Sequence, residues 1–246
     1  MAAFAKLFLD DSDIFDDPML YRSTVGALQY LTMTQLDLAF SVNKVAQFMS
    51  KPTVNHWDAV KRILRYIKHT YTLGLHIRRS PSTQLHGYSD SYWAGFLDDR
   101  RSHGSYCIYY GPNPISWSSK KHSTVFRSSI EAEYMSLTIL AAELVWIQMI
   151  LREMGFSPTS SLVLWCDNIG ATYLASDPVQ RSHSKHVELD YHSVRDKVQH
   201  RLLEIIFLFT VDQTVDVFTK PLHVRRFFFL CDKFSMTTTT SLEGAS

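Results

Sequence analysis

The sequence predicts an α/β fold built on a mixed sheet, and three stretches carry that reading. Between residues 85 and 119, short runs of alternating apolar and polar residues are separated by turns rich in Gly, Pro, Asn and Asp, the pattern of antiparallel strands. From Ser128 to Met154, apolar residues recur at helical spacing. Leu162-Val163-Leu164-Trp165-Cys166 is then apolar almost throughout, as a buried strand in parallel pairing should be.

In chain order, residues 1 to 20 hold five aspartates (10, 11, 13, 16 and 17) and Pro18 with no sustained period, and read as a lead-in. From Tyr21 the spacing of Leu28, Leu31 and Met33 predicts a helix. It resumes after Asp37, a candidate N-cap, through Leu38, Phe40, Val42, Val45, Phe48 and Met49, and stops at Lys51-Pro52. A second helix opens after Thr53 or Asn55 and runs to about Thr70. Trp57, Val60, Leu64 and Ile67 form its apolar stripe, opposite Lys61, Arg62, Arg65 and Lys68. Such a basic stripe is most often a solvated face; the sharper reading is a phosphate-contacting one.

Strand texture begins at Leu75-His76-Ile77 and continues in Leu85 to Ala94, Ser105 to Tyr110 and Ile115 to Ser119. The turns between the last three are the polar stretch from Asp98 to Gly104 and Gly111-Pro112-Asn113-Pro114. A basic loop, Lys120-Lys121-His122, leads to the N-cap pair Ser128-Ser129 and to a helix that Gly155 ends. Asp167-Asn168 follows the apolar strand at its C-terminal end, where α/β sheets place their sites. Helices over about 168–176 and 186–200, a strand over Leu202 to Phe209, and a last helix opening near Asp212 with Asp216 one turn in complete the order.

Composition narrows the function classes. Apolar residues make up 46% and charged residues 20%, which excludes wholesale disorder. With 25 basic against 24 acidic residues, any polyanionic partner must be met by a local patch. Cys107, Cys166 and Cys231 are far apart and form no CxxC or Cys/His cluster, which argues against disulfides and zinc and for a reducing, intracellular setting. No apolar run approaches the roughly 20 residues of a membrane span, and residues 1 to 10 lack a signal-peptide pattern. His183, His186 and His192 match no zinc spacing and read as packing or hydrogen-bonding residues.

One residue is out of character. Asp90 stands within the strand run from Leu85 to Phe96, although Asp is depleted in strands and an unpaired buried carboxylate is costly. It therefore calls for a backbone donor, a cation or a metal. A single such acid is more often part of a capped turn, so its company decides.

That company, and the surrounding text, resemble the ribonuclease H domain of copia-type retrotransposon polyproteins. The matching stretches are Tyr88-Ser89-Asp90 with Trp93-Ala94-Gly95, Asp99-Arg100-Arg101-Ser102, Ile115-Ser116-Trp117-Ser118-Ser119-Lys120-Lys121, Ser128-Ser129 through Glu131-Ala132-Glu133-Tyr134, Cys166-Asp167-Asn168, Lys185-His186-Val187-Glu188, and Asp216 before Val217-Phe218-Thr219-Lys220-Pro221-Leu222. Upstream, the stretch from Tyr21 to Leu31 and that from His56-Trp57 to Leu64-Arg65-Tyr66 are similar to the tail of the reverse transcriptase that precedes that domain. The chain departs from the family at Leu36 and Phe209, where Pro is usual, and at Val215, where Ala is usual.

The resemblance implies a ribonuclease H-like fold: a five-stranded mixed sheet, three antiparallel strands then two parallel, flanked by helices. It also implies a division into a helical reverse-transcriptase tail over 1–74, the ribonuclease H-like domain over 75–225, and a C-terminal tail over 226–246. Asp90, one of Glu131 and Glu133, Asp167 and Asp216 would be the catalytic, metal-binding carboxylates. Glu133 is favoured, because Ala132-Glu133-Tyr134 matches the retroviral text; Glu131 points about 200° away on a helix and suits the N-terminal dipole instead.

The implied cofactor is a pair of Mg²⁺ ions, with Mn²⁺ able to substitute, held by hard oxygen ligands for in-line phosphodiester hydrolysis. The implied substrate is the RNA strand of an RNA–DNA hybrid, with Lys61, Arg62, Arg65, Lys68, Lys120, Lys121 and Asn168 as weaker candidates for nucleic-acid contact. The rest of a retroelement polyprotein is the other implied partner, in the cytoplasm within a virus-like particle or in the nucleus, with no membrane. No Tyr-x-Asp-Asp motif occurs and residues 1–70 are too short for a polymerase palm, so polymerisation is not expected. The alternative function is an inactive retroelement relic that serves as a nucleic-acid-binding or interaction module.

Overall fold

The computed structural model describes residues 7–10, 12–156, 161–176 and 194–238. They form two compact units. One comprises the described residues of Met1–Ile77, Leu97–Asp99 and Lys220–Ser246; the other comprises those of Arg78–Phe96 and Arg100–Thr219.

In the first unit, α1 (Pro18–Leu31) begins three residues before the predicted start at Tyr21. Pro18 needs no helical N–H partner there, and the Asp17 side chain accepts from Leu20 N at 2.9 Å. Asp37 is not the predicted N-cap. It sits inside a 3₁₀ turn, Leu36–Leu38, ahead of α2 (Ala39–Ala46), and its buried carboxylate accepts from the Tyr66 hydroxyl at 2.6 Å. Of the two candidate starts for α3 (Val54–Thr70), Thr53 is the cap: its hydroxyl accepts from His56 N while His56 Nδ1 accepts from Thr53 N. Tyr21, Val25, Leu38, Val42, Val45, Phe48, Val60 and Ile63 make the core of this unit.

The strand expected at residues 75–77 is β1 (Leu73–Leu75), and it does not join the large sheet. It pairs antiparallel with β7 (Met236–Thr238), which follows α8 (Val224–Lys233). Residues 224–238 thus supply a helix and a strand to the first unit, and Phe227 packs edge-on against Tyr66 with ring centroids 6.0 Å apart. The units part at 77/78 and 219/220, with Leu97–Asp99 grouped with the first.

The second unit is a five-stranded sheet in the order β4-β3-β2-β5-β6. β2 (Leu85–Tyr92), β3 (His103–Tyr110) and β4 (Asn113–Lys121) are antiparallel; β5 (Leu162–Cys166) runs parallel to β2, and β6 (Leu203–Phe207) parallel to β5. This is the predicted three-plus-two arrangement. α4 (Ser129–Glu153) lays Tyr134, Leu137, Leu140 and Leu144 on Leu85, Ile108, Leu162 and Leu164. Gly87 permits that close approach, since a Cβ there would stand 2.5 Å from Leu140 Cδ1. Gly155 leaves the helix at φ +84, a conformation suited to glycine.

By length and composition α4 could cross a bilayer, against the expectation that no stretch comes close. Here one side of it is the core of the second unit. α5 (Ile169–Ser176) follows β5, and residues 194–199 are helical (α6); the rest of the predicted helix over 186–200, with Lys185 to Glu188, His183, His186 and His192, lies outside the described residues. The last predicted helix is broken. A 3₁₀ turn, Thr210–Asp212, is followed by extended Gln213 and a single helical turn, α7 (Asp216–Thr219), with Asp216 as its first residue. The break has a local cause: the Gln213 side chain turns inward, where Nε2 bonds to Ser89 O and Oε1 accepts from Val215 N.

Candidate metal centre

Sheet register brings the first two acids together. Ser89 of β2 lies opposite Cys166 of β5 in parallel pairing, so Asp90, within β2, and Asp167, just past the C-terminal end of β5, sit side by side, each one residue further along. The third acid comes from α4. The Ser128 hydroxyl accepts from Glu131 N at 3.2 Å and sets the first turn, and Glu133 then faces the sheet. One carboxylate oxygen from each of Asp90, Glu133 and Asp167 lies within 4.8 Å of the others. Asp90 and Glu133 are buried, and Asp167 is half-buried.

The two candidate glutamates are separated by their partners. Glu131 Oε2 accepts from Arg127 N at 2.9 Å, so it serves the helix N-terminus, while Glu133 joins the aspartates. Asp216 is buried at the start of α7 and is not a member of the close group. Asn168 is taken up locally as the cap of α5, with Oδ1 accepting from Ala171 N at 3.0 Å.

Neutral donors surround the acids. Thr219 Oγ1 donates to Asp90 Oδ2, and Gln213 Nε2 donates to Asp167 Oδ1 at 3.3 Å. Neither residue stands out in the sequence as a site candidate. Thr219 lies in a matching stretch next to Asp216, but a Thr or Gln in a short polar segment gives no periodic or charge signal that distinguishes it. Burial first, and then the Glu133, Asp167 and Asp90 carboxylates, push the Cys166 thiol up.

Three hard carboxylate donors with no neighbouring thiolate fit Mg²⁺ or Mn²⁺ in kind. One oxygen of each lies within 4.8 Å of the others, close enough for the three to act on a common cation site.

The basic candidates divide between the units. On α3, Arg62, Arg65 and Lys68 are exposed, while Lys61 pairs with Asp58 at 2.5 Å. At the end of β4, Lys120 is exposed and Lys121 Nζ lies 4.3 Å from the centre of the Phe96 ring. Beside them is a cavity of about 330 Å³ lined by Ser105, Lys120, His122, Ser136 and Glu143, among others. His122 is buried there and held down to about 4 by desolvation.

No family model matches the chain. It is similar to the retrovirus-related Pol polyproteins from transposons RE2 and RE1 of Arabidopsis thaliana, at 46% identity over 90% of this chain and 44% over 96%. The corresponding polyprotein from transposon TNT 1-94 of Nicotiana tabacum is 34% identical over 84% of this chain. The chain spans 15% to 16% of the length of each of these relatives. Among solved structures, the foamy viral protease-reverse transcriptase in complex with RNA/DNA hybrid aligns with 86% of this chain and 27% of its own, at 12% identity and a TM-score of 0.50. A ribonuclease H1 isolated from compost aligns with 52% of this chain and 86% of its own, at 14% identity and a TM-score of 0.39.

Proposed function

Because this chain belongs to the retrovirus-related Pol polyproteins of copia-type transposons and has a ribonuclease H fold, we propose that it is a Mg²⁺-dependent endoribonuclease that hydrolyses the RNA strand of RNA–DNA hybrids. The observation that carries the reading is the convergence of Asp90, Glu133 and Asp167 from β2, α4 and the end of β5 within 4.8 Å. A binding module gains nothing from three acids beside phosphates, which repel them in the absence of a cation.

Asp90, Glu133 and Asp167 would hold the metal, with buried Asp216 contributing from α7. When bound, a pair of Mg²⁺ ions supplies an activated water and neutralises the charge that develops on the leaving oxygen. The protein's own part is to fix the carboxylates on rigid elements, one within a strand, one just past a strand end and one on a long capped helix, so that little reorganisation is needed during the reaction. The 2′-hydroxyl is the group by which such a site tells the RNA strand from DNA. The hybrid and the remainder of a Pol polyprotein are the partners this reading assigns.

The test is cleavage of three labelled substrates of one sequence, a hybrid, a DNA duplex and an RNA duplex, in Mg²⁺ and in EDTA. The reading expects cuts in the RNA strand of the hybrid alone, and only with metal. A hybrid that is bound but left intact in both Mg²⁺ and Mn²⁺ would leave the chain a binding module.

A further inference from the structure

We propose that Gln213 and Thr219 are positioning residues: two neutral donors, on the segment that also carries Asp216, which hold the Asp167 and Asp90 carboxylates in the orientation a divalent cation requires. The inference rests on the reading that these acids bind metal.

Gln213 is fully buried, and its Nε2 donates to Ser89 O at 2.9 Å as well as to Asp167 Oδ1 at 3.3 Å. One amide thus ties the end of β5 to β2 at the residue just before Asp90. Its other end is fixed too, because Oε1 accepts from Val215 N at 3.4 Å, which assigns the nitrogen to the acids and the oxygen to the backbone. Thr219 is likewise fully buried, one turn beyond Asp216, and its hydroxyl donates to Asp90 Oδ2.

The residue types suit the task. Carboxylates crowded within 4.8 Å repel one another, and something must fix their rotamers before a cation arrives. A Lys or Arg would do so by occupying the site with its own charge. A hydroxyl or amide proton takes one lone pair of an oxygen and leaves the rest for metal. Partners of this kind orient ligands, and their loss typically costs about 10- to 100-fold in metal affinity.

The same contacts would serve a purely structural stitch between the segment and the sheet, so the test separates the two roles. Mn²⁺ binding to the full chain is measured by calorimetry, and apo stability by thermal melting in EDTA, for wild type, Thr219→Val, Thr219→Ser and Gln213→Met. Thr219→Val keeps the shape and removes the donor; about a tenfold or greater loss of Mn²⁺ affinity is expected. Thr219→Ser restores the donor and should bind as wild type does. Gln213→Met should also weaken binding, and it keeps the question open to test if Thr219→Val fails to fold. Variants that melt lower in EDTA but bind Mn²⁺ as tightly as wild type would overturn the positioning role alone. A folded wild type that binds no Mn²⁺ would overturn the metal reading and this inference with it.

Discussion

Asp90 and Asp167 lie next to each other because Ser89 and Cys166 are paired in parallel across β2 and β5. The two acids are 77 residues apart in the chain, and a one-residue slip of that ladder would turn one of them to the opposite face of the sheet. The candidate site is therefore a property of strand register first and of residue identity second.

The two glutamates of α4 give the most direct contrast. Glu133→Gln should abolish the rise in melting temperature that Mg²⁺ produces, because it removes one of the three clustered charges. Glu131→Gln should leave that rise intact and cost about 0.3–1 kcal/mol, since its carboxylate serves only the backbone at the start of the helix. Denaturant melts of both variants with and without Mg²⁺ decide the matter; reversed behaviour would move the site to Glu131.

Much of this was legible in the sequence, and the failures share a cause. Alternation, turn residues and the apolar run at 162–166 predict the first four strands of the sheet, because each signal is local. What could not be read is where a strand without an alternating pattern finds its partner: Leu73–Leu75 pairs with Met236–Thr238, over 160 residues away. Asp37 has the chemistry of an N-cap but is buried against Tyr66 by the tertiary packing of the first unit. Asp90, Glu133 and Asp167 lie within 4.8 Å of one another, whereas Gln213 and Thr219 bond to two of them through side-chain geometry that no spacing rule encodes.

His122 should make stability pH-dependent. Its folded pKa is held down to about 4 by burial, below the ordinary value of 6.5. Below 6.5 the unfolded chain takes up a proton that the folded one does not, so this contribution is fully present above 6.5 and is lost as pH falls toward 4. The gap amounts to about 3 kcal/mol at most. Denaturant melts at pH 7, 5.5 and 4.5 should show the decline, and His122→Gln should flatten it. An equal decline in the variant would assign the acid lability to other groups.

The α3 stripe can be tested by salt. If Arg65 and Lys68 contact phosphates, Arg65→Ala with Lys68→Ala should weaken hybrid binding and reduce the slope of log K against log salt by up to about 2. Lys61→Ala should change the slope least, because Lys61 already pairs with Asp58. An unchanged slope in the double variant would make the stripe a solvated face.

The central claim, that Asp90, Glu133 and Asp167 form a metal site for phosphodiester hydrolysis, is tested most directly by Asp90→Asn, assayed for hybrid cleavage and for melting temperature in EDTA and in Mg²⁺. Asn keeps the size and a carbonyl oxygen but removes the charge. In EDTA the variant should melt at or slightly above the wild-type temperature, since mutual repulsion among the acids is relieved. In Mg²⁺ the order should reverse, because an ion at about 100 times its Kd stabilises the native state that binds it by about 2.7 kcal/mol, and cleavage should be lost. An Asp90→Asn variant that cuts the hybrid at the wild-type rate and keeps the full Mg²⁺-dependent rise in melting temperature would contradict the account.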